Sequence, residues 1–344
     1  MTENWERLFD LTLEPSTYVH YLGDDDGLLP GALECADRVI KKHQCSVLNW
    51  EKAEYAWPDI VASAYRNYAS VRLSSSVEEV CTAPFLASAH AMETSYSAGP
   101  SIYSSFIQLP ILRKIRQSAQ GRFFRSCSPD VFSSYAIAAS IDRFTRCSFA
   151  LSVNGASGNS NGIAYIHQFQ SDASAQFRAS RPIHPSLVHA PSVCIAEADG
   201  LLTARDALPG LFGQHSFNFL RLFARLEEEA AGASPERRSL LRAAIHEICD
   251  KNGLAKPSVP DHIENTSAAI QPGPVFGYAP SSSHLTVDFA RIGIENVADA
   301  CRAIAMLNPL EALPHDGNGA ASPVTTLPKI SIFRRIARKV VSHL

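Results

Sequence analysis

Three consecutive aspartates, Asp24-Asp25-Asp26, constrain this chain more than any other feature. They sit between the β-branched and aromatic run Tyr18-Val19-His20-Tyr21-Leu22 and the segment Gly27-Leu28-Leu29-Pro30. The first run reads as a strand that ends in a turn at Gly23. Pro30 to Lys42 reads as a helix, because Pro is tolerated in a first turn and Leu33, Ala36, Val39 and Ile40 recur at helical spacing. Strand, acidic turn and helix in succession predict an α/β layer architecture, and in open α/β sheets ligands bind at the carboxyl ends of strands.

The remaining elements are consistent with that class. Ser46–Trp50 and Ser148–Val153 read as strands; Ser101–Ser118 and Val131–Arg146 read as helices. Phe217–Ala231 and Pro235–Lys251 read as an antiparallel helix pair around Gly232-Ala233-Ser234. Clusters such as Gln271-Pro272-Gly273-Pro274 and Pro280-Ser281-Ser282-Ser283 predict a loop-rich stretch from 256 onward, with one helix near 294–306. The chain of 344 residues predicts roughly two domains. We place a first region at 1–205, a helical region at 206–310, and a linker with a basic tail at 311–344.

Composition narrows the function classes. Hydrophobic residues make up 46% and charged residues 19%, which excludes wholesale disorder. With 31 Lys+Arg against 34 Asp+Glu, the net charge of −3 argues against a protein dominated by phosphate-backbone binding. None of the eight cysteines forms a Cys-x-x-Cys pair, which argues against a zinc ribbon or a thioredoxin-type motif. No apolar run has the length of a spanning helix, and the polar start Met1-Thr2-Glu3-Asn4-Trp5-Glu6 lacks the pattern of a signal peptide. The expectation is a cytoplasmic protein with reduced thiols.

Alternate residues of an extended segment share a face, so Asp24 and Asp26 can point the same way. Adjacent carboxylates repel unless a cation neutralises them, and a hard ion such as Mg²⁺ or Mn²⁺ prefers oxygen ligands. The plainer alternative is an acidic turn in water. A second carboxylate, Asp130, stands in Ser128-Pro129-Asp130-Val131 before a predicted helix, where it serves either as an N-cap or as a general base. Tyr103, Trp50, Tyr55 and Trp57 are candidates for stacking on a ligand, against the alternative of core packing. His167 is a candidate ligand of a metal or diphosphate, against that of a packed histidine.

The segments Asn4-Trp5-Glu6, Tyr18-Val19 and Leu22 to Pro30 resemble the central part of a family 2-like glycosyltransferase. The resemblance covers about residues 1–165 and is strongest at 18–34, as far as a motif match by eye extends. It implies a partial GT-A fold, a divalent metal cofactor, a nucleotide-sugar donor and a glycan or lipid-linked acceptor. By that resemblance Asp26, with Asp24, holds the metal. Asp24 and Asp25 contact the donor ribose or the surroundings of the metal, and Asp130 is the base of an inverting transfer. In the family a nucleotide-binding half precedes the motif, so the expectation is a chain without most of the donor pocket, either an enzyme or an inactive remnant.

Two other readings compete. Gly158-Asn159-Ser160-Asn161-Gly162 matches a nucleophile elbow, with Asp206 or Asp250 and His262 or His284 following in the order a serine hydrolase requires. The tail Ile330 to Val341 is basic and amphipathic, which suits peripheral contact with an anionic membrane surface.

Overall fold

The computed structural model describes residues 2–10, 18–61, 63–167, 169–179, 182–257, 275–307 and 310. The basic tail and the linker at 311–328 lie outside the described residues, as does His262. The order of elements is α1 (Thr2–Asp10), β1 (Tyr18–Val19), β2 (Gly27–Leu28), α2 (Ala32–His43), β3 (Val47–Trp50), β4 (Ala53–Ala56), β5 (Tyr68–Arg72) and β6 (Val77–Cys81). Next come α3 (Thr82–His90), β7 (Ser105–Gln108), α4 (Leu109–Ser118), α5 (Pro129–Ala139), β8 (Arg143–Cys147) and β9 (Ser152–Ala156). They are followed by α6 (Asn161–His167), α7 (Asp172–Ala179), α8 (Val193–Ala207), α9 (Phe219–Ala231), α10 (Pro235–Asn252), β10 (Gly277–Ala279), β11 (His284–Asp288) and α11 (Val297–Leu307).

The strands form two mixed sheets, so the chain is of the α/β class. One has the order β1-β7-β3-β8-β6 and the other β10-β11-β5-β4-β9-β2. The parallel pair β3·β8 of the first continues as the parallel pair β4·β9 of the second. Two bends, at Glu51-Lys52 and at Ser148–Leu151, carry this pair from one sheet to the other. Glu51 N–H donates to the Cys147 carbonyl at 3.1 Å, and Trp50 Nε1 donates to Ser152 Oγ at 2.8 Å, so the two bends are tied together.

Packing explains the sequence pattern. Every residue of β3 is buried, as expected of a central strand covered on both faces. Val47 belongs to the core cluster with α4, α5 and α8, whereas Leu48 belongs to the cluster with α2 and α11. A third cluster joins α8, α9 and α10. Helices α5 and α8 cross so closely that a Cβ at Gly200 would stand 2.5 Å from Val131 Cγ1. All eight cysteines are free and six are buried.

Several elements differ from expectation. Ser101–Ser118 is not one helix. Ser105–Gln108 is strand β7, paired with β1 and β3, and the helix begins only at Leu109 with Pro110 in its first turn. The Val131–Arg146 helix ends at Ala139 and gives way to β8. The strand expected at Ser148–Val153 is shifted to Ser152–Ala156, because the residues before it make the bend. Residues 275–307 are not merely loops and a helix. β10 and β11 form a hairpin on the edge of the second sheet, with Pro280–Ser283 as its turn, and α11 packs on β9, β2 and β4. Each of these differences comes from pairing with distant segments, which overrides local pattern.

Candidate functional site

Lys52 of the first bend and the end of β9 line one side of an open cavity of about 1380 Å³. The aspartate triplet, Lys52, Trp57, Tyr96, Tyr103, Asp130, Asn154 and Gly155 all line it. Its walls also include Trp5 of α1 and residues of α6, α7 and the start of α8.

The triplet is a built turn. Asp26 N–H donates to the Gly23 carbonyl at 3.3 Å, and Gly23 N–H donates back to Asp26 Oδ2 at 3.2 Å. The other oxygen, Oδ1, accepts from Gly155 N–H at 2.8 Å. Asp25 Oδ2 accepts from Ser157 Oγ at 3.3 Å, and the Asp25 carbonyl accepts from Trp57 Nε1 at 3.3 Å. Asp24 is exposed at the cavity wall. The pairing of β2 with β9, Gly27 opposite Val153, brings the turn against the end of β9.

Gly155 is required for this contact. A Cβ there would lie 1.7 Å from the Asp25 carbonyl oxygen and 2.9 Å from Trp57 Nε1. Gly155→Ala is therefore expected to displace the triplet and to destabilise the fold by about 3 kcal/mol or more, at or above the upper end for overpacking. A thermal melt together with divalent-cation binding checks this; an unchanged melt would show that the two loops are less closely apposed.

Burial is the main cause that raises the Asp25 and Asp26 carboxyls above their ordinary range; for Asp25 the charges of Asp26 and Asp24 add to it. The backbone donors and Lys52 pull Asp26 the other way. Cation binding needs the ionised forms. Cation affinity is therefore expected to fall as pH falls, with the loss beginning above the ordinary Asp value of about 3.9. Without a cation, the same raised carboxyls make the fold less stable as pH rises from that value through their folded pKa, because the unfolded chain ionises first. Calorimetric Mn²⁺ titrations across pH 4–7 check the first statement (the range chosen to bracket that reference value); an affinity flat over the range would contradict it.

Asp130 is in the first turn of α5, but Ser128 occupies the N-cap position and Pro129 precedes Asp130 within the helix, so the expected cap role does not hold. Its carboxylate is left for the cavity, at the positive end of the helix dipole. The Tyr96 hydroxyl hydrogen-bonds to Asp130, and the charge of Asp130 is the first cause holding that phenol well above its usual pKa. Tyr96 thus stays protonated and donates. The loop before β7 is pinned to the same helix turn: Ser101 Oγ and Ser133 Oγ both donate to the Asp130 carbonyl, at 3.2 and 2.8 Å, and Ile102 N–H donates to Ser133 Oγ at 3.1 Å. This brings Tyr103 between the two acidic groups. Its phenol is raised first by burial, then by the charges of Asp130, Asp26, Asp25 and Asp24 in turn.

Helix α1 completes this wall. The Glu6 carboxylate accepts from Phe123 N–H at 3.1 Å and Phe124 N–H at 2.9 Å, which holds the neighbouring Trp5 against Tyr103 with ring centroids 4.3 Å apart.

The other expected residues separate clearly. Trp57 lines the cavity, and its indole N–H braces Asp25. Trp50 and Tyr55 do not reach a ligand; at 2% and 0% exposure they belong to the core around the second sheet. His167 lines the cavity from the end of α6 and is exposed there. Ser160 also lines the cavity, yet it lacks the positive φ of a strained elbow. The acids and bases expected to serve it are engaged elsewhere: Asp206 with His184, Asp250 with Lys256, and His284 with Glu51.

Sequence reasoning passed over Lys52, Asn154 and Tyr96. A single lysine after a strand carries no signal of its own, and Tyr96 lies in a short 3₁₀ turn. Among the described residues, no group of three or more His, Cys, Asp or Glu side chains is arranged to hold a metal ion, and no helix is long and apolar enough to cross a membrane. Comparison with protein-family models, with curated proteins and with solved structures returns no match.

Proposed function

We infer that the chain is a glycosyltransferase of the family 2-like type, with a partial GT-A architecture, which moves a sugar from a nucleotide-sugar donor to a hydroxyl acceptor with inversion. One observation carries the reading. The aspartate triplet and Asp130, distant in sequence, line a single cavity with Tyr103 between them.

The residues present suit a divalent ion that arrives with a diphosphate. Asp26 is fixed by backbone donors on both oxygens, each of which keeps a further lone pair, and Asp24 is free of such bonds and exposed. Two carboxylates are few for a resident site but ordinary for Mg²⁺, which is commonly held by one or two carboxylates, water and substrate phosphates. When bound, such an ion offsets the charge that develops on a departing phosphate.

Asp130 accepts the proton of the acceptor hydroxyl. As that proton leaves, the hydroxyl oxygen forms a bond to the anomeric carbon, and the bond from that carbon to the phosphate oxygen breaks, its electron pair going to the nucleoside diphosphate. Attack on the face opposite the leaving group inverts the centre. Tyr96 donates to Asp130 and fixes its orientation, as a base needs. Trp57 and Tyr103 supply aromatic surface on which a sugar can stack.

The biological setting that fits this reading is glycan or polysaccharide assembly at the cytoplasmic face of a membrane, with the basic tail as a peripheral contact. A panel of nucleotide sugars, assayed for nucleoside diphosphate release with an oligosaccharide acceptor, tests the chemistry. Release that requires Mg²⁺ or Mn²⁺ and stops with EDTA is expected. Transfer that survives EDTA would contradict the metal role.

A further inference from the structure

Lys52 is the one lysine or arginine lining the cavity among the described residues, where Asp24, Asp25, Asp26, Asp59 and Asp130 are the acids. It lies in the bend between β3 and β4. Its ammonium donates to Asn154 Oδ1 at 2.6 Å, and Asn154 Nδ2 in turn donates to Glu54 Oε2 at 2.8 Å, which settles the orientation of the amide. Asn154 adjoins Gly155, whose N–H holds Asp26. On the other side, the Lys52 ammonium stands 5.9 Å from the centre of the Tyr103 ring.

An ammonium has three N–H donors and no acceptor. One goes to a neutral amide, and among the described residues no carboxylate stands within ion-pair distance of Lys52. The charge of Lys52 nevertheless acts on Asp26. The bend therefore holds a half-buried cation beside the triplet, with donors to spare, in a cavity whose other fixed charges repel anions. A lysine placed in this way is a point charge for phosphate oxygens.

We propose that Lys52 is a phosphate-binding residue of this cavity, which grips the diphosphate of the donor directly while Asp26 serves the accompanying divalent ion. The assignment rests on the glycosyltransferase reading and names a residue that the acidic motif does not contain. It gives the diphosphate two separate cationic partners, one belonging to the chain and one brought in.

Calorimetric titration of inorganic pyrophosphate, with and without Mg²⁺, separates the two. Lys52→Gln is expected to weaken binding about tenfold or more in both conditions, the scale of a lost hydrogen bond to a charged group. Lys52→Arg should stay within a few-fold of the parent. Asp26→Asn should lose the increment that Mg²⁺ adds and keep the Mg²⁺-free binding. Lys52→Met, which retains the aliphatic stem, repeats the test if the glutamine variant does not fold. Equal binding by the parent and the Lys52 variants, with Asp26→Asn defective, would overturn the role of Lys52 alone. Failure of the parent to bind pyrophosphate in either condition would overturn the diphosphate site and the transferase reading with it.

Discussion

On the proposed glycosyltransferase reading, Asp26→Asn is expected to lower sugar transfer by on the order of 10²–10³, the cost of removing one preorganised electrostatic partner of a developing charge. The substitution keeps the size of the side chain and removes its charge. It also replaces one carboxylate oxygen with an amide nitrogen, which then faces the N–H of either Gly23 or Gly155. One of these donors loses its acceptor, so a stability loss of about 1–3 kcal/mol accompanies the catalytic loss. Two readouts keep the effects apart. A thermal melt reports the hydrogen bond, and the Mg²⁺ dependence of turnover reports the cation. The account requires the residual activity of Asp26→Asn to lose its response to Mg²⁺. A residual activity that still rises with Mg²⁺ as in the parent would place the ion elsewhere.

Asp130→Asn acts on a different step. A general base contributes about 10²–10⁴ in rate, and its removal leaves the binding of donor and ion intact. The expected result is a fall in kcat of that size, with Mg²⁺ and pyrophosphate binding unchanged and the fold as stable as before. The last expectation follows from the position of the residue: Ser128 holds the N-cap position, and the hydrogen bonds that pin the neighbouring loop go to the Asp130 carbonyl rather than to its carboxylate. Tyr96→Phe is a companion variant. It removes the donor to Asp130 and should lower kcat less than Asp130→Asn does. Equal kcat in the parent and Asp130→Asn would exclude the base role and leave Asp130 as a half-buried partner of Tyr96.

Local chemistry made some of this site legible in the sequence. The aspartate turn follows a strand and comes before helix α2, in the order its flanks predict, because Gly23 and Pro30 punctuate the chain; but the strand expected over Tyr18–Leu22 ends at Val19, and the short strand β2, made by pairing with β9, stands between the turn and the helix. The helix pair α9 and α10 was legible for the same reason: Ser234 accepts from Arg237 N–H at 3.3 Å, and Pro235 opens the second helix. Strand β7 was not. Its residues Ser105–Gln108 owe their conformation to partners in β1 and β3, and no local pattern records such pairing. The β10·β11 hairpin was hidden by its Pro-Ser-rich turn and by its dependence on β5.

The same distinction holds within the cavity. The acids stood out because like charges seldom cluster without cause. Lys52 did not, since its meaning depends on Asn154, which reaches it only through the parallel pairing of β4 with β9. Trp50 and Tyr55 resembled ligand-stacking aromatics by type, and their burial could be read only once the second sheet closed over them. Asp130 is legible as a carboxylate at a helix start; its freedom from capping follows from Ser128 and Pro129 standing immediately before it.

The central claim is that the triplet grips a divalent cation together with a diphosphate. Mn²⁺ binding followed by electron paramagnetic resonance, with inorganic pyrophosphate present, tests it most directly. The account predicts a bound Mn²⁺ signal in the parent chain and in Asp130→Asn, strongly reduced in Asp26→Asn. Absence of bound Mn²⁺ in the parent, or an undiminished signal in Asp26→Asn, would contradict it.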